Sequence, residues 1–376
     1  MFLLFVVCLI PFIGYFANPL LAGFDSYAFA SEVCGHGVED SLGSELFKSL
    51  LFVFPCNFFL IKVVLFIVYF IAIVALALWG EEVLGKERGW LVGFVSATIS
   101  PLLFFEALKF ENDIFGWSLS FVALCLLFKG FSLVKWHEKR VKGVMCIILG
   151  LGACFLAFLC YLPSLLVLLG VGLVSVYTIF LAFLAGVVLL QNVPMFREPI
   201  NGIQALVSEE MIASGIPWIA FFLPFIWDIP KKYKLPTIVL LGTGFVKAKV
   251  MLFAVPWLAL GLVEADAKFK DKRWWPNLVV VGLVFCVAFS FMAYFTVPTT
   301  QNFADIKEVI QLSQDNNYPL YNDWSYGWWV WYNGYETNYK AFYPDPDYNN
   351  LPKPYLAYTD TNLPCTQLKE KVFICK

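Results

Sequence analysis

Charged residues are scarce in this 376-residue chain. Asp, Glu, Lys and Arg make up 14% of it, whereas soluble globular proteins carry about 25%. Hydrophobic residues make up 60%, and the mean hydropathy is +0.74. This composition excludes a soluble cytosolic enzyme, a disordered tail protein and a nucleic-acid binder with a basic face. It indicates a polytopic membrane protein.

Histidine is nearly absent, and so are the cysteine spacings of common metal sites. The two histidines are His36 and His137, and no CxxC pair occurs. A histidine-rich metal site, a zinc finger and a Ser-His triad are therefore not expected. The apolar runs at 65–79 and 278–291 do not alternate with polar residues, which excludes a lipid-facing β-barrel. Such runs cross a bilayer as α-helices, because a helix satisfies its own backbone polar groups.

The ten cysteines fall into two groups. Seven lie in or beside apolar segments and are expected to be small buried hydrophobes: Cys8, Cys56, Cys125, Cys146, Cys154, Cys160 and Cys286. Three others lie in polar segments that we expect outside the cell: Cys34, Cys365 and Cys375. A disulfide that closes the segment between Cys365 and Cys375 is one possibility, which the sequence alone leaves open.

Positive charge is concentrated in a few short segments. Of the 26 Lys and Arg residues, 14 lie in four stretches, at 86–88, 129–142, 231–234 and 268–273. Basic loops remain in the cytoplasm, so these four stretches are expected inside. The remaining polar segments are then expected outside, at 24–46, 109–113, 191–215 and from 298 onward. The segment from 298 carries nine acids and six bases.

Eleven transmembrane helices, some of them short or broken, follow from this map. The expected spans are 3–22, 58–80, 90–108, 114–129, 143–161, two within 164–190, 216–229, two within 235–266, and 276–297. The first is interpreted as an uncleaved span, because Met1 is followed directly by Phe2 and Leu3 without a basic region. The fold class is therefore an all-α membrane domain at 1–297, followed by a small extracytoplasmic domain at 298–376 that is too small to hold a large core alone.

Carboxylates recur in the segments expected outside. Asp25 follows the first span, and Glu111 and Asp113 lie in a loop barely long enough to turn. Each of them fits a solvated loop residue. Two acids one residue apart, held between two spans, also fit a site for Mg²⁺ or Mn²⁺, which prefer oxygen ligands.

Two further clusters have both a structural and a functional interpretation. Ser208-Glu209-Glu210, in the 191–215 loop, fits either an amphipathic loop helix or a catalytic segment. Lys247 and Lys249 interrupt an apolar stretch, where a lysine is costly and usually has a partner. They either extend to the membrane interface or neutralise a lipid phosphate.

Aromatic residues are dense in the C-terminal part: twelve of the 26 residues from Tyr318 to Tyr343 are Phe, Tyr or Trp. The cluster includes Asp323-Trp324-Ser325-Tyr326-Gly327. On composition it fits an interfacial belt or a platform for a peptide or sugar ring.

Taken in order, these five features resemble the catalytic subunit of oligosaccharyltransferase, a member of the GT-C membrane glycosyltransferases that use polyprenyl-phosphate or pyrophosphate sugar donors. Asp25 is similar to the metal-binding aspartate that follows the first span of the family. Glu111-Asn112-Asp113 is similar to its Asp-x-Asp or Asp-x-Glu pair. The resemblance is scattered over most of the chain.

Three more motifs carry the resemblance. Val207-Ser208-Glu209 is similar to the end of a Ser-Val-Ser-Glu motif, and Lys249-Val250-Met251-Leu252 with Pro256 to an Arg-Leu-Met-Leu…Pro stretch whose basic residue contacts donor phosphate. Asp323-Trp324-Ser325-Tyr326-Gly327 is similar to the Trp-Trp-Asp-Tyr-Gly motif that recognises the acceptor. Ser325 replaces the aspartate that helps to hold the acceptor hydroxyl, and Asp323 is a neighbouring acid that can compensate.

The resemblance implies a mechanism and a set of roles. Asp25, Glu111 and Asp113 are expected to hold Mn²⁺ or Mg²⁺, and Lys249 with Lys247 to contact the donor phosphate. Asp25 and Glu209 are expected to orient the acceptor nitrogen for attack with inversion. The implied acceptor-binding residues are Asp323, Trp324, Ser325 and Tyr326.

The implied activity is metal-dependent transfer of a glycan from a polyprenyl-(pyro)phosphate donor to protein asparagine, on the outer face of a prokaryotic plasma membrane. The expected partners are the polyprenyl-linked donor, an acceptor peptide or other acceptor, and membrane lipid, with no nucleic acid. Two alternatives stay open. One is a GT-C enzyme that moves a single sugar from a polyprenyl phosphate to a lipid, a glycan or Ser/Thr, and the other is a non-enzymatic or inactive membrane relative.

Overall fold

A computed structural model describes most of the chain: residues 2–23, 26–35, 54–136, 139–174, 181, 185, 223–246, 248–292, 297, 299–323, 326–334 and 346–376. The chain divides into two compact units. The first comprises Met1–Ala17, Val63–Leu108 and Asn112–Tyr294. The second comprises Asn18–Lys62, Lys109–Glu111 and Phe295–Lys376.

The described elements of the first unit are all helical. Its α-helices are α1 (Phe2–Ala17), α3 (Phe58–Leu84, which begins in the second unit), α4 (Lys86–Ile99), α5 (Pro101–Ala107), α6 (Asn112–Val134), α7 (Arg140–Cys160), α8 (Leu166–Gly172), α9 (Lys231–Val246), α10 (Val255–Phe269) and α11 (Trp275–Met292). Short 3₁₀ helices occur at Leu162–Leu165, Leu223–Trp227 and Ala248–Ala254. Within the described residues, three helices are long and apolar enough to cross a membrane: α3, α6 and α7.

Helix α7 shows how the first unit meets its surroundings. It packs along α6 but exposes Val141, Met145, Ile148 and Phe155 on the opposite side. These residues recur at intervals of three, four and seven, so they form one stripe of the helix. A stripe of large exposed apolar side chains is costly in water and is expected where a helix contacts lipid.

Near Gly89, helices α3 and α4 lie too close together to leave room for a side chain at that position. A Cβ atom at Gly89 would lie 2.2 Å from the Glu81 backbone nitrogen, well inside van der Waals contact. Glycine at this position therefore permits the tight antiparallel contact between the two helices. The predicted span at 90–108 is interrupted after α4, because Ser100 leaves the helical conformation and Pro101 begins α5.

Ion pairs join helices of the first unit at the segments that the charge map assigns to the inside. Arg88 pairs with Glu264 at 3.2 Å, and Lys268 with Asp228 at 2.9 Å. Lys129 pairs with Glu82, in the part of α3 that continues to Leu84 beyond the apolar run. The predicted span at 58–80 lies within α3.

The second unit combines helices with a small sheet. Its elements are α2 (Ser26–Val33), α12 (Thr300–Asn316), β1 (Leu320–Asn322), α13 (Gly327–Gly334), β2 (Tyr355–Tyr358), β3 (Thr366–Lys369) and β4 (Val372–Cys375). The strand order is β1-β2-β4-β3. Strand β1 pairs with β2 in parallel, with Tyr321 opposite Ala357, and the other two pairs are antiparallel.

The sheet was not predicted. The all-α prediction is confirmed for the described part of the apolar segments, but the C-terminal segment adds four short strands. Strands β1 and β2 are buried along their whole length, and β3 is exposed along its whole length. Neither pattern shows the period-two alternation that identifies a half-buried strand in a sequence.

Two disulfides lie in the second unit. One joins Cys365 and Cys375, which the sequence left open, and closes the hairpin of β3 and β4. The other joins Cys34 and Cys56. The interpretation of Cys56 as a small buried hydrophobe is therefore wrong: it lies just before α3 and is crosslinked to the residue that follows α2. Five other cysteines are free thiols, namely Cys8, Cys125, Cys146, Cys154 and Cys160.

The remaining predicted spans are described in part. Helices α1, α6, α7 and α11 match the predictions at 3–22, 114–129, 143–161 and 276–297 to within about five residues. The 235–266 segment contains α9 and α10, joined by a 3₁₀ helix. Most of 175–222 lies outside the described residues, so the total of eleven spans stays a prediction, as does the domain boundary at 297–298.

Candidate functional site: a buried carboxylate cluster

Asp113 is fixed by the start of helix α6. Asn112 is the first residue of this helix, and its side-chain amide donates a hydrogen bond of 2.8 Å to the carbonyl of Cys160, the last residue of α7. Asp113 lies in the first turn of α6, where the positive end of the helix dipole favours a carboxylate. The sequence Glu111-Asn112-Asp113 thus alternates a site residue, an anchor and a second site residue.

Three acidic side chains converge on one point. They are Glu106 in the last turn of α5, Glu111 in the turn at 108–111 that connects α5 to α6, and Asp113. These residues lie within eight consecutive positions, and one oxygen of each lies within 4.8 Å of the others. All three are buried, with exposed fractions of 2%, 5% and 8%. At this distance each pair of carboxylates repels by about 3 kcal/mol with an effective dielectric constant of about 20.

The donor set fits a hard divalent cation. Three carboxylate oxygens with no nearby thiol or imidazole in the group suit Mg²⁺ or Mn²⁺ rather than a soft metal. A cation among them would also offset their mutual repulsion. The prediction that Glu111 and Asp113 share a site is supported by this geometry, and Glu106 is an addition to it.

The segment that precedes Asp25 lies beside this turn. Ala22 forms a parallel bridge with Lys109. Gly23 has a φ of 79°, a left-handed conformation that favours glycine. A Cβ atom at Gly23 would lie 3.1 Å from Lys109 Cγ and 3.5 Å from Glu111 Oε1, so a larger side chain would press on the carboxylate.

The segment that follows Asp25 is tied to the same turn. The backbone N–H of Phe110 donates a hydrogen bond of 2.8 Å to Ser26 Oγ, and this hydroxyl donates to the carbonyl of Ala22. Asp25 itself lies outside the described residues. Its neighbours Gly23 and Ser26, however, both contact the 109–111 segment. The predicted role of Asp25 in the metal site stays a prediction.

An aromatic path connects this region to the C-terminal motif within the second unit. Tyr27, one residue after Ser26, lies with its ring centroid 6.3 Å from Trp329. Trp329 in turn lies 5.7 Å from Tyr326, and Tyr326 lies 5.1 Å from Tyr358 of β2. Helices α2 and α13 pack together through these rings. The unit that holds the flanks of Asp25 thus also holds the predicted acceptor motif.

Asp323, the carboxylate of that motif, accepts several hydrogen bonds. It follows β1, and its Oδ1 accepts hydrogen bonds from Tyr348 Oη at 2.8 Å and Thr359 Oγ1 at 2.7 Å. Its Oδ2 accepts from the backbone N–H of Asp360 at 2.9 Å. Both oxygens are thus engaged by the segment that follows β2. The predicted acceptor-binding role of Asp323 stays a prediction.

Tyr326 belongs to a second polar network. Its hydroxyl donates to Asp360 and accepts from Lys371 Nζ at 2.6 Å, while Lys371 also pairs with Asp360 at 2.8 Å. Burial and the hydrogen bond to Asp360 raise the pKa of Tyr326 to about 12. Burial opposes the ionised form of Asp360, but its bonds with Lys371 and Tyr326 outweigh this and lower its pKa. Burial also opposes the charge of Lys371, but its hydrogen bonds with Asp360 and Tyr326 outweigh this and raise its pKa.

Six predicted site residues remain. Lys249 lies in the 3₁₀ helix Ala248–Ala254, where its motif neighbours Met251 and Leu252 are buried. Five predicted residues lie outside the described residues: Asp25, Glu209, Lys247, Trp324 and Ser325. Their roles stay predictions.

Sequence reasoning missed Glu106. This residue lies in the apolar run that forms the end of the predicted span at 90–108, and a lone acid there is costly unless it has a function or a partner. That cost is the signal that can identify it. Sequence reasoning also missed Thr359, Asp360 and Lys371, whose contacts with the motif join residues up to 45 positions apart.

The fold has counterparts among solved structures. The Archaeoglobus fulgidus oligosaccharyltransferase in complex with Zn and sulfate matches with a TM-score of 0.56 and 12% identity, over 88% of this chain and 60% of that chain. The same enzyme, tethered through a disulfide to an acceptor peptide with the NVT sequon, matches with a TM-score of 0.58 and 11% identity, over 88% of this chain and 62% of that chain. No protein-family model and no curated protein sequence matches the chain.

These comparisons establish the fold. The oligosaccharyltransferase-like architecture that the scattered motifs implied is confirmed at this level. The chain spans about three fifths of the length of the solved chains that it matches.

Proposed function

We propose that this protein transfers a glycan from a polyprenyl-phosphate or pyrophosphate donor to an acceptor, with protein asparagine as the first candidate. One observation carries the proposal: three buried carboxylates converge within 4.8 Å, in a chain that shares the fold of an oligosaccharyltransferase. Both neighbours of the Phe24-Asp25 pair are tied to the same turn, which supports Asp25 as a further ligand.

The carboxylates Glu106, Glu111 and Asp113, with Asp25, are the residues that would hold Mn²⁺ or Mg²⁺. Such a cation supplies Lewis-acid stabilisation of the negative charge on the departing phosphate. Burial of the three described carboxylates keeps bulk water away from this charge and strengthens the electrostatic interactions there. Lys249, with Lys247, is proposed to bind the donor phosphate.

The proposed reaction breaks one bond and forms another. The bond between the anomeric carbon and the phosphate oxygen breaks, and the lipid phosphate leaves with the electron pair. The acceptor nitrogen forms the new bond to the anomeric carbon with inversion and loses one proton, which passes to solvent water. Asp25 and Glu209 are proposed to orient that nitrogen and its protons, while the segment from Asp323 to Tyr326 holds the acceptor in line.

We place the carboxylates and both disulfides on the extracytoplasmic side of the membrane. Disulfides form and persist in oxidising compartments, and both of them lie in the unit that contains Glu111. The free thiols whose side chains are described all lie in the other unit. This distribution agrees with the orientation that the basic loops predict.

The test is a transfer assay on purified protein in detergent. A polyprenyl-linked sugar extract and a fluorescent Asn-x-Thr peptide are incubated with Mn²⁺ or Mg²⁺, and the mass of the peptide is read with and without EDTA. We expect a mass gain on asparagine that EDTA abolishes. Glu111→Gln is expected to reduce the rate at least about 100-fold, since a metal centre contributes several kcal/mol to the transition state.

The matched control is Glu264→Gln, because Glu264 is a carboxylate that pairs with Arg88 away from the cluster. A second readout is independent of turnover: Mn²⁺ is expected to raise the melting temperature of the wild type and of Glu264→Gln, but not that of Glu111→Gln. Transfer that persists in EDTA, or an equal response of both variants to Mn²⁺, would contradict the proposal.

A specific observation favours a second candidate function, the transfer of a single sugar to a lipid, a glycan or Ser/Thr. Ser325 replaces the aspartate of the acceptor motif, and Asp323, the neighbouring acid, already accepts bonds from Tyr348, Thr359 and Asp360. Its oxygens are therefore poorly placed to take over the missing contact to a sequon hydroxyl. Metal-dependent consumption of donor without any gain on the peptide would favour this candidate.

A further inference from the structure

Hydrogen bonds within the second unit hold two residues of the proposed acceptor motif. The carboxylate of Asp323 is bonded by Thr359 and by the backbone of Asp360, and the hydroxyl of Tyr326 is bonded by Asp360 and Lys371. All three partners lie at one end of the paired strands β2 and β4. Thr359 and Asp360 directly follow β2, and Lys371 directly precedes β4.

Main-chain hydrogen bonds also connect Asp323 and Tyr326 to each other and to the sheet. The N–H of Tyr326 donates to the carbonyl of Asp323 at 2.9 Å, which draws the two ends of the motif together as a turn. The N–H of Asp323 donates to the carbonyl of Tyr358 at 3.3 Å, and the N–H of Thr359 to the carbonyl of Lys371 at 2.9 Å. The turn is thus attached to the β2–β4 pair by main-chain bonds as well as by side chains.

We propose that Thr359, Asp360 and Lys371 are positioning residues for acceptor binding: they fix Asp323 and Tyr326, two of the residues proposed to bind the acceptor. The inference rests on the proposed function and adds to it the residues that determine the acceptor geometry. Side chains held by charged hydrogen bonds lose little further freedom when the acceptor binds. Releasing either of them is expected to weaken acceptor binding without a change in donor binding.

Lys371 is the residue that distinguishes positioning from simple stabilisation. Its Nζ lies 4.8 Å from the centroid of the Tyr326 ring and bonds the hydroxyl of the same residue, so it fixes both the ring and its polar end. Lys369, two positions earlier in β3, provides a matched comparison. It pairs instead with Asp305 and Glu308 of α12. Within the described residues, Lys369 makes no contact with the motif.

The experiment measures KM for the acceptor, KM for the donor and kcat in the full-length protein. Lys371→Met and Asp360→Asn are expected to raise the acceptor KM about tenfold, the loss that corresponds to one charged hydrogen bond, and to leave the donor KM unchanged. Lys371→Arg retains the charge and is expected to recover part of the acceptor affinity. Lys369→Met, which also loses two ion pairs, is expected to leave both KM values within about twofold of the wild type.

Two outcomes overturn the inference in distinguishable ways. If the wild type transfers sugar but Lys371→Met lowers kcat alone, or leaves both KM values within about twofold of the wild type as expected for Lys369→Met, these residues only stabilise the sheet and the proposed function stands. If the wild type transfers nothing to any acceptor in the presence of metal, the proposed function fails and this inference fails with it.

Discussion

The two units of this molecule are stabilised in different ways. The described part of the first is helical, contains the free thiols and relies on close helix contacts such as that at Gly89. The second contains a four-stranded sheet, both disulfides and the hydrogen bonds around Asp323. A region surrounded by lipid gains little from burying apolar surface, so shape matching dominates there. A small region with little core of its own gains more from crosslinks and from satisfied polar networks.

The comparison predicts that the first unit is most sensitive to volume at helix contacts. Gly89→Ala introduces a methyl group that meets backbone atoms of Glu81 at 2.2 Å, and neither helix backbone can move aside locally. We expect a loss of about 3 kcal/mol in the free energy of unfolding, measured by denaturant titration in detergent. Gly152→Ala is the control, because nothing lies within 4 Å of a Cβ atom there. Equal stability of the two variants would show that shape matching does not govern this unit.

The second unit is expected to depend on its crosslinks. The double variant Cys365→Ser, Cys375→Ser opens a loop of about ten residues, and we expect it to lose about 2–3 kcal/mol of stability. The control is Cys146→Ala, which removes a half-buried thiol of the first unit. Stability is measured by thermal unfolding with and without reductant. Reductant should destabilise the wild type and leave the double variant less affected; an unchanged wild type would remove this difference between the units.

Surface charge is expected to contribute least. Asp360 is 61% exposed, so its pair with Lys371 is worth only about 0.5 kcal/mol after screening by solvent. The folded state lowers the pKa of Asp360, so this contribution is present above about pH 4 and disappears as the pH falls through the lower folded pKa. The folded state raises the pKa of Lys371, so the pair also weakens at high pH, above about pH 10.

The measurement compares the melting temperatures of the wild type and Asp360→Asn as a function of pH. We expect the wild type to be slightly more stable at pH 7 and the difference to shrink as the pH falls below about 4 and through the lowered pKa of folded Asp360. A stability difference that grows as the pH falls would show that the folded protein destabilises the ionised form of Asp360. That result would contradict our conclusion that its hydrogen bonds affect the pKa more than burial does.

Much of the first unit could be predicted from the sequence, because its signals are local. Long apolar runs predict α3, α6 and α7, and the basic stretches predict their orientation. The pair of Glu82 with Lys129 joins residues 47 positions apart, and no local pattern reveals such a contact. The break at Ser100-Pro101 was missed although a proline commonly occupies the first turn of a helix.

The candidate site was predictable only in part, for the same reason. Glu111 and Asp113 could be singled out because their spacing is local, and the structure groups them with Glu106. Cys56 was misassigned because its partner, Cys34, is 22 residues away. The bonds to Asp323 come from residues 25 to 37 positions later, and such contacts are decided by the fold rather than by neighbouring residues.

The composition of the second unit has a consequence for biosynthesis. Tyr27 packs against Phe303 and Trp329, so the 18–62 segment meets its partners in the 295–376 segment only after more than 200 further residues have been translated. At a synthesis rate of about 5–20 residues per second, this interval is on the order of tens of seconds. Throughout it the aromatic face of α2 has no native partner from the 295–376 segment. The second unit therefore matures late in translation, well after the apolar helices α3 to α7 have been made.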